Sequence, residues 1–429
     1  MLLKKTDYKT GGVKIHSVEN EYEFNEGNVV NNYNRTRGMR VKRTFTIEYV
    51  CGYVYDGVFL PTQNTLKPKD YSYGFYDLAS NWLQTKKTTE TTWDQNGANP
   101  VVSETLFSYA NPSHMQVTSM QTADSKGNTV KYDVKYPADF ASTGTPNVYN
   151  KLIDRNIVGA AVEEAKSIIA PGSQPLSKQR VNYASWQNDK VIAPSTVQSV
   201  TGNTVLNIAD ASQIDVKVHS YDAFGRTTEF EGRDQLVTSI IWGLDRNTPL
   251  AKIVNAPASG VAYTSFEDGE WGGWTVTGTA SADATALTGA MSYSLATGAI
   301  NKGGLSAGTT YKVSYWTKNG SPFTVTGTIG AAVQGNTHRG WTRFEHEVSG
   351  QTSISVSGSG TIDHLIICPD KSLAETYTFV PMVGITSKVT PDAKIVYYEY
   401  DALGRMKLVK DQDGAILNMF DYKYQVSMP

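Results

Sequence analysis

Apolar and polar residues alternate in short runs along most of the chain. Examples are FTIEYVCGYVY (Phe45–Tyr55), TVKYDVKY (Thr129–Tyr136), TVLNIAD (Thr204–Asp210), YKVSYWTK (Tyr311–Lys318), SISVSGSG (Ser353–Gly360) and IVYYEY (Ile395–Tyr400). A period of two puts successive side chains on opposite faces of a strand, and turn clusters such as SKGN, TPDA and DQDG separate the runs. Helical spacing occurs once, where Ile153, Ile157, Ala161, Ala165 and Ile168 share a face between Asn150 and Ile169. Asn150 reads as the N-cap and Pro171-Gly172 as the stop. The pattern predicts an all-β protein with one short helix.

The texture changes near residue 258. From Ala262 to about Asp370 the chain is rich in Gly, Ser, Thr and Ala, with evenly spaced short strands. Such spacing predicts a β-sandwich of the jelly-roll kind over 262–372. The flanks, 1–258 and 373–429, carry more Tyr, Lys and Asp. The sandwich therefore reads as an insertion into one β-rich region that 373–429 completes.

Bulk properties narrow the class. The 429 residues are enough for roughly two to four domains, and 40% hydrophobic against 19% charged residues can bury a core. Tyrosine outnumbers phenylalanine 25 to 13, which suits half-buried sheet faces whose hydroxyls reach a wet rim. A net charge of −2 creates no general attraction to nucleic acid or acidic lipid. The one basic cluster, NRTRGMRVKR (Asn34–Arg43), reads as an exposed strand edge. Cys51 and Cys368 fall in different predicted domains, so they imply neither a disulfide framework nor a metal quartet. No run approaches the ~18 apolar residues of a membrane span. The opening MLLKKTDYKTGG does not read as a signal peptide, so an exported form is expected to be a piece of a longer polypeptide.

Two hexapeptides repeat: YDAFGR (Tyr221–Arg226) and YDALGR (Tyr400–Arg405), alike at five of six positions. A degenerate unit, Tyr109–Tyr136, keeps the order Tyr, strand, Asp-x-x-Gly turn, strand, without the Gly-Arg pair. Each letter has a structural use. Asp222 and Asp401 can accept hydrogen bonds from turn amides, and Gly225 and Gly404 can supply positive φ. Arg226 and Arg405 open the return strand, in reach of a tyrosine ring or the turn aspartate. None is a nucleophile or a base. The six histidines show no metal-protease spacing, and no phosphate loop occurs. Catalysis is not expected.

YDAFGR and YDALGR resemble the motif of RHS/YD-repeat proteins, which wind β-hairpins into long ribbons or shells. The stretches Ile240–Ala256 and Gly360–Arg405 are similar to large secreted YD-repeat proteins of the Bacteroidota type. The resemblance covers most of 70–429. It implies a ribbon or partial shell, an extracellular or cell-surface location, and a non-enzymatic scaffold or adhesion role. It leaves two alternatives: a glycan-binding protein working through the sandwich, or the non-toxin part of an RHS toxin-delivery protein, since no further domain follows Tyr424. Implied partners are a glycan, a surface protein, the rest of a larger secreted polypeptide or its export machinery, with no nucleic acid and no membrane insertion.

The segment opening at YTSFEDGEWGGW (Tyr263–Trp274) and closing at GTIDHLIICP (Gly360–Pro369) resembles carbohydrate-binding-module jelly rolls. That resemblance implies a structural calcium held by Glu267 and Asp363, with Asp268 as a spare. Carboxylates suit calcium, and they equally suit turn capping. In YKVSYWTK, Tyr311, Val313 and Tyr315 share one face and should be core, which turns Trp316 outward. Trp271, beside glycines, is the other ring expected to be open to a sugar.

Overall fold

The computed structural model describes residues 2–24, 35–48, 53–60, 65–79, 83–243, 247–267, 269 and 271–423. Strands make up 54% of the chain and helical residues 5%, so the fold is all-β with large antiparallel sheets. Two compact units divide it: Met1–Asp139 with Glu164–Leu176, and Phe140–Glu163 with Ser177–Pro429. Among the described residues no helix is long and apolar enough to cross a membrane.

In the first unit an antiparallel meander runs through Lys4–Lys9, Val13–Phe24, Leu83–Thr92, Val101–Ser108, Ser119–Ala123 and Thr129–Lys135. The basic cluster belongs to a long strand, Arg35–Glu48, paired only with Thr65–Ala79 among the described strands. Cys51 lies outside the described residues.

The second unit is built on a longer meander. Gln174–Trp186, Val191–Thr201, Ile214–Tyr221, Thr227–Gly232, Val237–Trp242 and Pro249–Val254 follow one another in antiparallel register. Pro249–Val254 then pairs directly with Leu373–Val380, Ala251 facing Thr376. From there the ribbon continues through Gly384–Val389, Ile395–Tyr400, Met406–Asp411 and Ile416–Met419. The chain leaves the ribbon after one strand, builds the sandwich, and re-enters as that strand's hydrogen-bonded neighbour.

Two sheets face each other in the sandwich. The larger is centred on Thr361–Pro369, which pairs with both Tyr311–Thr317 and Ala262–Thr264. The smaller contains Ile300–Gly303 and Ser353–Ser357. Their inner faces share one core, with Tyr293, Tyr315 and Ile362 of the first sheet meeting Ile300 and Val356 of the second, all fully buried.

Two local expectations fail. Of the helix expected over Asn150–Ile169 only the start is helical, within Val148–Asp154, and Glu163–Ala170 is a strand. The N-cap is Asn147, which accepts from the Tyr149 and Asn150 amides while the Asn150 side chain answers its backbone. The helix ends because Asn156 takes φ 60, and the β-branched Ile157-Val158 and Gly159 that follow resist helix. TVLNIAD is not a strand but a loop. Asn207 and Asp210 accept hydrogen bonds from the Ala209 and Ser212 amides, and these local turns compete with sheet pairing.

Candidate functional site

The two hexapeptides build the same hairpin. Asp222 N–H donates to the Arg226 carbonyl at 3.0 Å, and Gly225 N–H to the Asp222 carbonyl at 3.1 Å. The equivalent bonds at Asp401 measure 2.8 and 3.0 Å. This is a three-residue loop whose last position must be left-handed, and Gly225 and Gly404 sit there at φ 81 and 73. Oδ1 of each aspartate accepts two turn amides, Phe224 and Arg226 in one, Leu403 and Arg405 in the other. Oδ2 accepts from the arginine Nε, at 2.6 Å in the first and 2.8 Å in the second. Burial raises the Asp222 carboxyl, but the hydrogen bonds from Arg226 and Phe224 outweigh it and hold the group below the usual carboxylate range. The Arg405 guanidinium, then its amide, do the same for Asp401.

The tyrosine of the motif has a role that facing alone does not reveal. Tyr221 Oη donates to the Pro194 carbonyl and Tyr400 Oη to the Ile385 carbonyl, both at 2.8 Å. Each tyrosine thus ties its strand to the preceding one. The same loop recurs without Tyr or Arg at Asp94, Asp124 and Asp411, followed by Gly97, Gly127 and Gly414 at φ 75, 79 and 85. The repeat unit is therefore Asp-x-x-Gly. Asp94-Gln-Asn-Gly97 escaped the sequence reading, although its four letters carry the signal.

The aromatic candidates separate. Trp316 is 2% exposed and does not face solvent. It packs with Leu287 and Trp341 of the sandwich against Val389 and Ile395 of the ribbon. The outer face of this sheet is a docking face, so the outward turn of Trp316 leads to burial. Trp271 is half-buried against the sandwich core and lines a cavity of about 430 Å³. That cavity also reaches Asp222, Arg226 and Trp242 of the first hairpin, and Lys302 of the sandwich.

The acidic candidates converge on one segment. Asp363 is wholly buried: Oδ2 accepts from the Leu287 and Thr288 amides at 2.9 and 3.0 Å, and Oδ1 from the His364 amide at 2.6 Å. Burial pushes its carboxyl up to about 8, against the pull of those amides, with nearby Glu267 adding to the rise. Glu267 accepts from the Ala290 and Met291 amides, and lies where a side chain at Gly289 would stand, 2.1 Å from the ideal Cβ. Asp268 lies outside the described residues. Backbone N–H groups surround both carboxylates where a calcium cage needs oxygens, and among the described residues no group of three or more His, Cys, Asp or Glu is placed to hold a metal. The donors fit turn capping better than a cation.

Two buried histidines of the sandwich are engaged in hydrogen bonds. His346 lies between Tyr315 and Thr328 at 3.0 and 3.1 Å, and His364 meets Thr376 at 2.7 Å. Burial pushes His364 down to about 3 and the Cys368 thiol up to about 11, which leaves both uncharged at neutral pH.

No family model and no curated protein matches the sequence. Among solved structures the chain is similar to the crystal structure of TcdB2-TccC3-Cdc42 and to the Tc holotoxin pore of Photorhabdus luminescens. Each is 12% identical, with 98% of this chain and 17% of the other covered at a TM-score of 0.19. TcdB2-TccC3 without its hypervariable C-terminal region aligns at 11% identity and a TM-score of 0.18, over 24% of its length. The chain spans less than a third of each of these chains.

Proposed function

We propose that the chain is a non-enzymatic scaffold of the RHS/YD-repeat type, a hairpin ribbon that carries a sandwich of the carbohydrate-binding-module kind on an extracellular or cell-surface protein. The observation that carries this reading is the consumption of the motif's polar groups in its own turn. Asp222 and Asp401 are each filled by two amides and an arginine, and both tyrosine hydroxyls are spent on a neighbouring strand. Groups so engaged hold a shape: each carboxylate is neutralised by its own arginine, and each tyrosine proton is committed to a backbone carbonyl. The insertion between two paired strands fixes both ends of the sandwich, as display requires.

The test uses intact cells of the source organism producing the parent protein, with an antibody to the sandwich. Surface labelling that disappears when Asp222 and Asp401 are both changed to Ala supports the scaffold. Labelling only after lysis, or turnover of a substrate abolished by either aspartate change, overturns it.

A further inference from the structure

The cavity beside the first hairpin contains a lysine in an unusual place. Ile300–Gly303 alternates buried and exposed, and Lys302 falls on the buried, core-facing side with Ile300. It sits opposite Ile354, itself 3% exposed. Lys302 is 9% exposed and has no hydrogen bond or ion pair among the described residues. Burial pushes its ammonium below the ordinary lysine range. The ammonium itself is not sealed off: the stem is covered while the charged head opens on the cavity, with no group of the described residues to meet it there. A lone cation retained in the wall of a cavity marks a binding group.

The rest of the lining narrows the ligand. Arg226 is occupied by Asp222 and the Gly243 carbonyl and lies over the Trp242 ring, 5.4 Å from its centroid. Its charge is therefore matched, and among the described lining residues Lys302 is the one uncompensated charge. With Asp222 and Arg226 neutralising each other, the single positive charge of Lys302 matches one carboxylate better than a dianion such as phosphate. Trp271 packs its ring against Phe266 and Tyr293, with ring centres 6.1 and 6.4 Å away, and also lines the cavity. Thr228 adds a hydroxyl, and a volume of about 430 Å³ admits one or two sugar rings.

We propose that this cavity binds an acidic sugar residue, its carboxylate on Lys302 and its ring against Trp271. The site joins the sandwich to the hairpin ribbon, and a scaffold remains a scaffold without it, so its failure leaves the preceding reading intact.

Calorimetric titration of the full chain with trigalacturonate and with neutral galactotriose tests the proposal. Trigalacturonate should bind, with galactotriose at least about ten-fold weaker. Lys302→Met should lose about ten-fold for trigalacturonate while its melting temperature stays level, since methionine keeps the covered apolar stem and removes only the unpaired charge at its end. Absence of binding, equal binding of the two sugars, or unchanged affinity in Lys302→Met overturns the site. Should Lys302→Met not fold, wild-type affinity decides, because an ammonium–carboxylate contact weakens several-fold between about 50 and about 500 mM salt. Binding indifferent to salt overturns it.

Discussion

Tyr293, Tyr315, Ile300 and Ile362 of the sandwich are fully buried, whereas all six residues of the ribbon strand Thr227–Gly232 keep part of their surface. The sandwich closes a dry core between two sheets. The ribbon, with fewer fully buried side chains, relies on ties between neighbouring strands: Ser220 to Thr228 at 2.7 Å, Thr378 to Ser387 at 2.6 Å, and Lys410 to Glu399 at 2.6 Å. Such ties are individually small, and register is weakly specified in a strand such as Thr227–Gly232 that has no fully buried face. The turns therefore bear more of the specificity in the ribbon than in the sandwich, which explains why the repeated letters belong to turns. Where the two regions meet, the sandwich turns two tryptophans and Leu287 against Val389 and Ile395 of the ribbon.

The largest effect should come at that meeting. Trp316→Ala is expected to cost about 3–5 kcal/mol by chemical denaturation, the loss for emptying a buried aromatic site. A cost below about 1 kcal/mol would mean the ring is open after all. Asp222→Ala should cost about 2–3 kcal/mol, because it frees two turn amides and leaves Arg226 without its carboxylate. Asp94→Ala, at an exposed turn without an arginine, should cost less than half of that. Equal losses at the two sites would remove the distinction between motif and plain turn. Gly404→Val should cost about 1–2 kcal/mol through left-handed strain alone.

The same geometry predicts a gain. Thr390 to Lys394 form the same loop, with Ala393 in the left-handed position at φ 60. Ala393→Gly should therefore raise stability by up to about 1 kcal/mol, the αL penalty less the entropy of an added glycine. Unchanged or lower stability would argue that the loop opens in solution. The smallest expected effect is that of calcium. With N–H donors around Glu267 and Asp363, chelator should leave the melting temperature unmoved. A fall restored by added calcium would require carbonyls to replace those amides.

Much of this was readable from the letters. Alternation in Tyr311–Thr317 assigned Tyr311, Val313 and Tyr315 to the core, where they lie, because the period of a strand is local information. The fate of Trp316 was not readable, since the outer face of the sheet is covered by residues about seventy positions away. Asp-x-x-Gly was visible at Asp222 and Asp401, where Tyr and Arg flank it, and in the turns at Asp124 and Asp411, where alternating runs bracket it, while the one at Asp94 passed unnoticed. The helix was overextended because the spacing of Ile153, Ile157 and Ala161 outlasts the stop at Asn156. Lys302 carried no signal in sequence, where a lysine in a Gly-rich strand reads as solvent-facing.

The central claim is that the Tyr-Asp-x-x-Gly-Arg turns are structural devices acting on their own hairpins. Hydrogen exchange of wild type and Asp222→Ala tests it directly. The account predicts faster exchange in Ile214–Tyr221 and Thr227–Gly232, with the sandwich strands Tyr311–Thr317 and Thr361–Pro369 still protected. Unchanged protection of the hairpin, or equal loss in hairpin and sandwich, would contradict it.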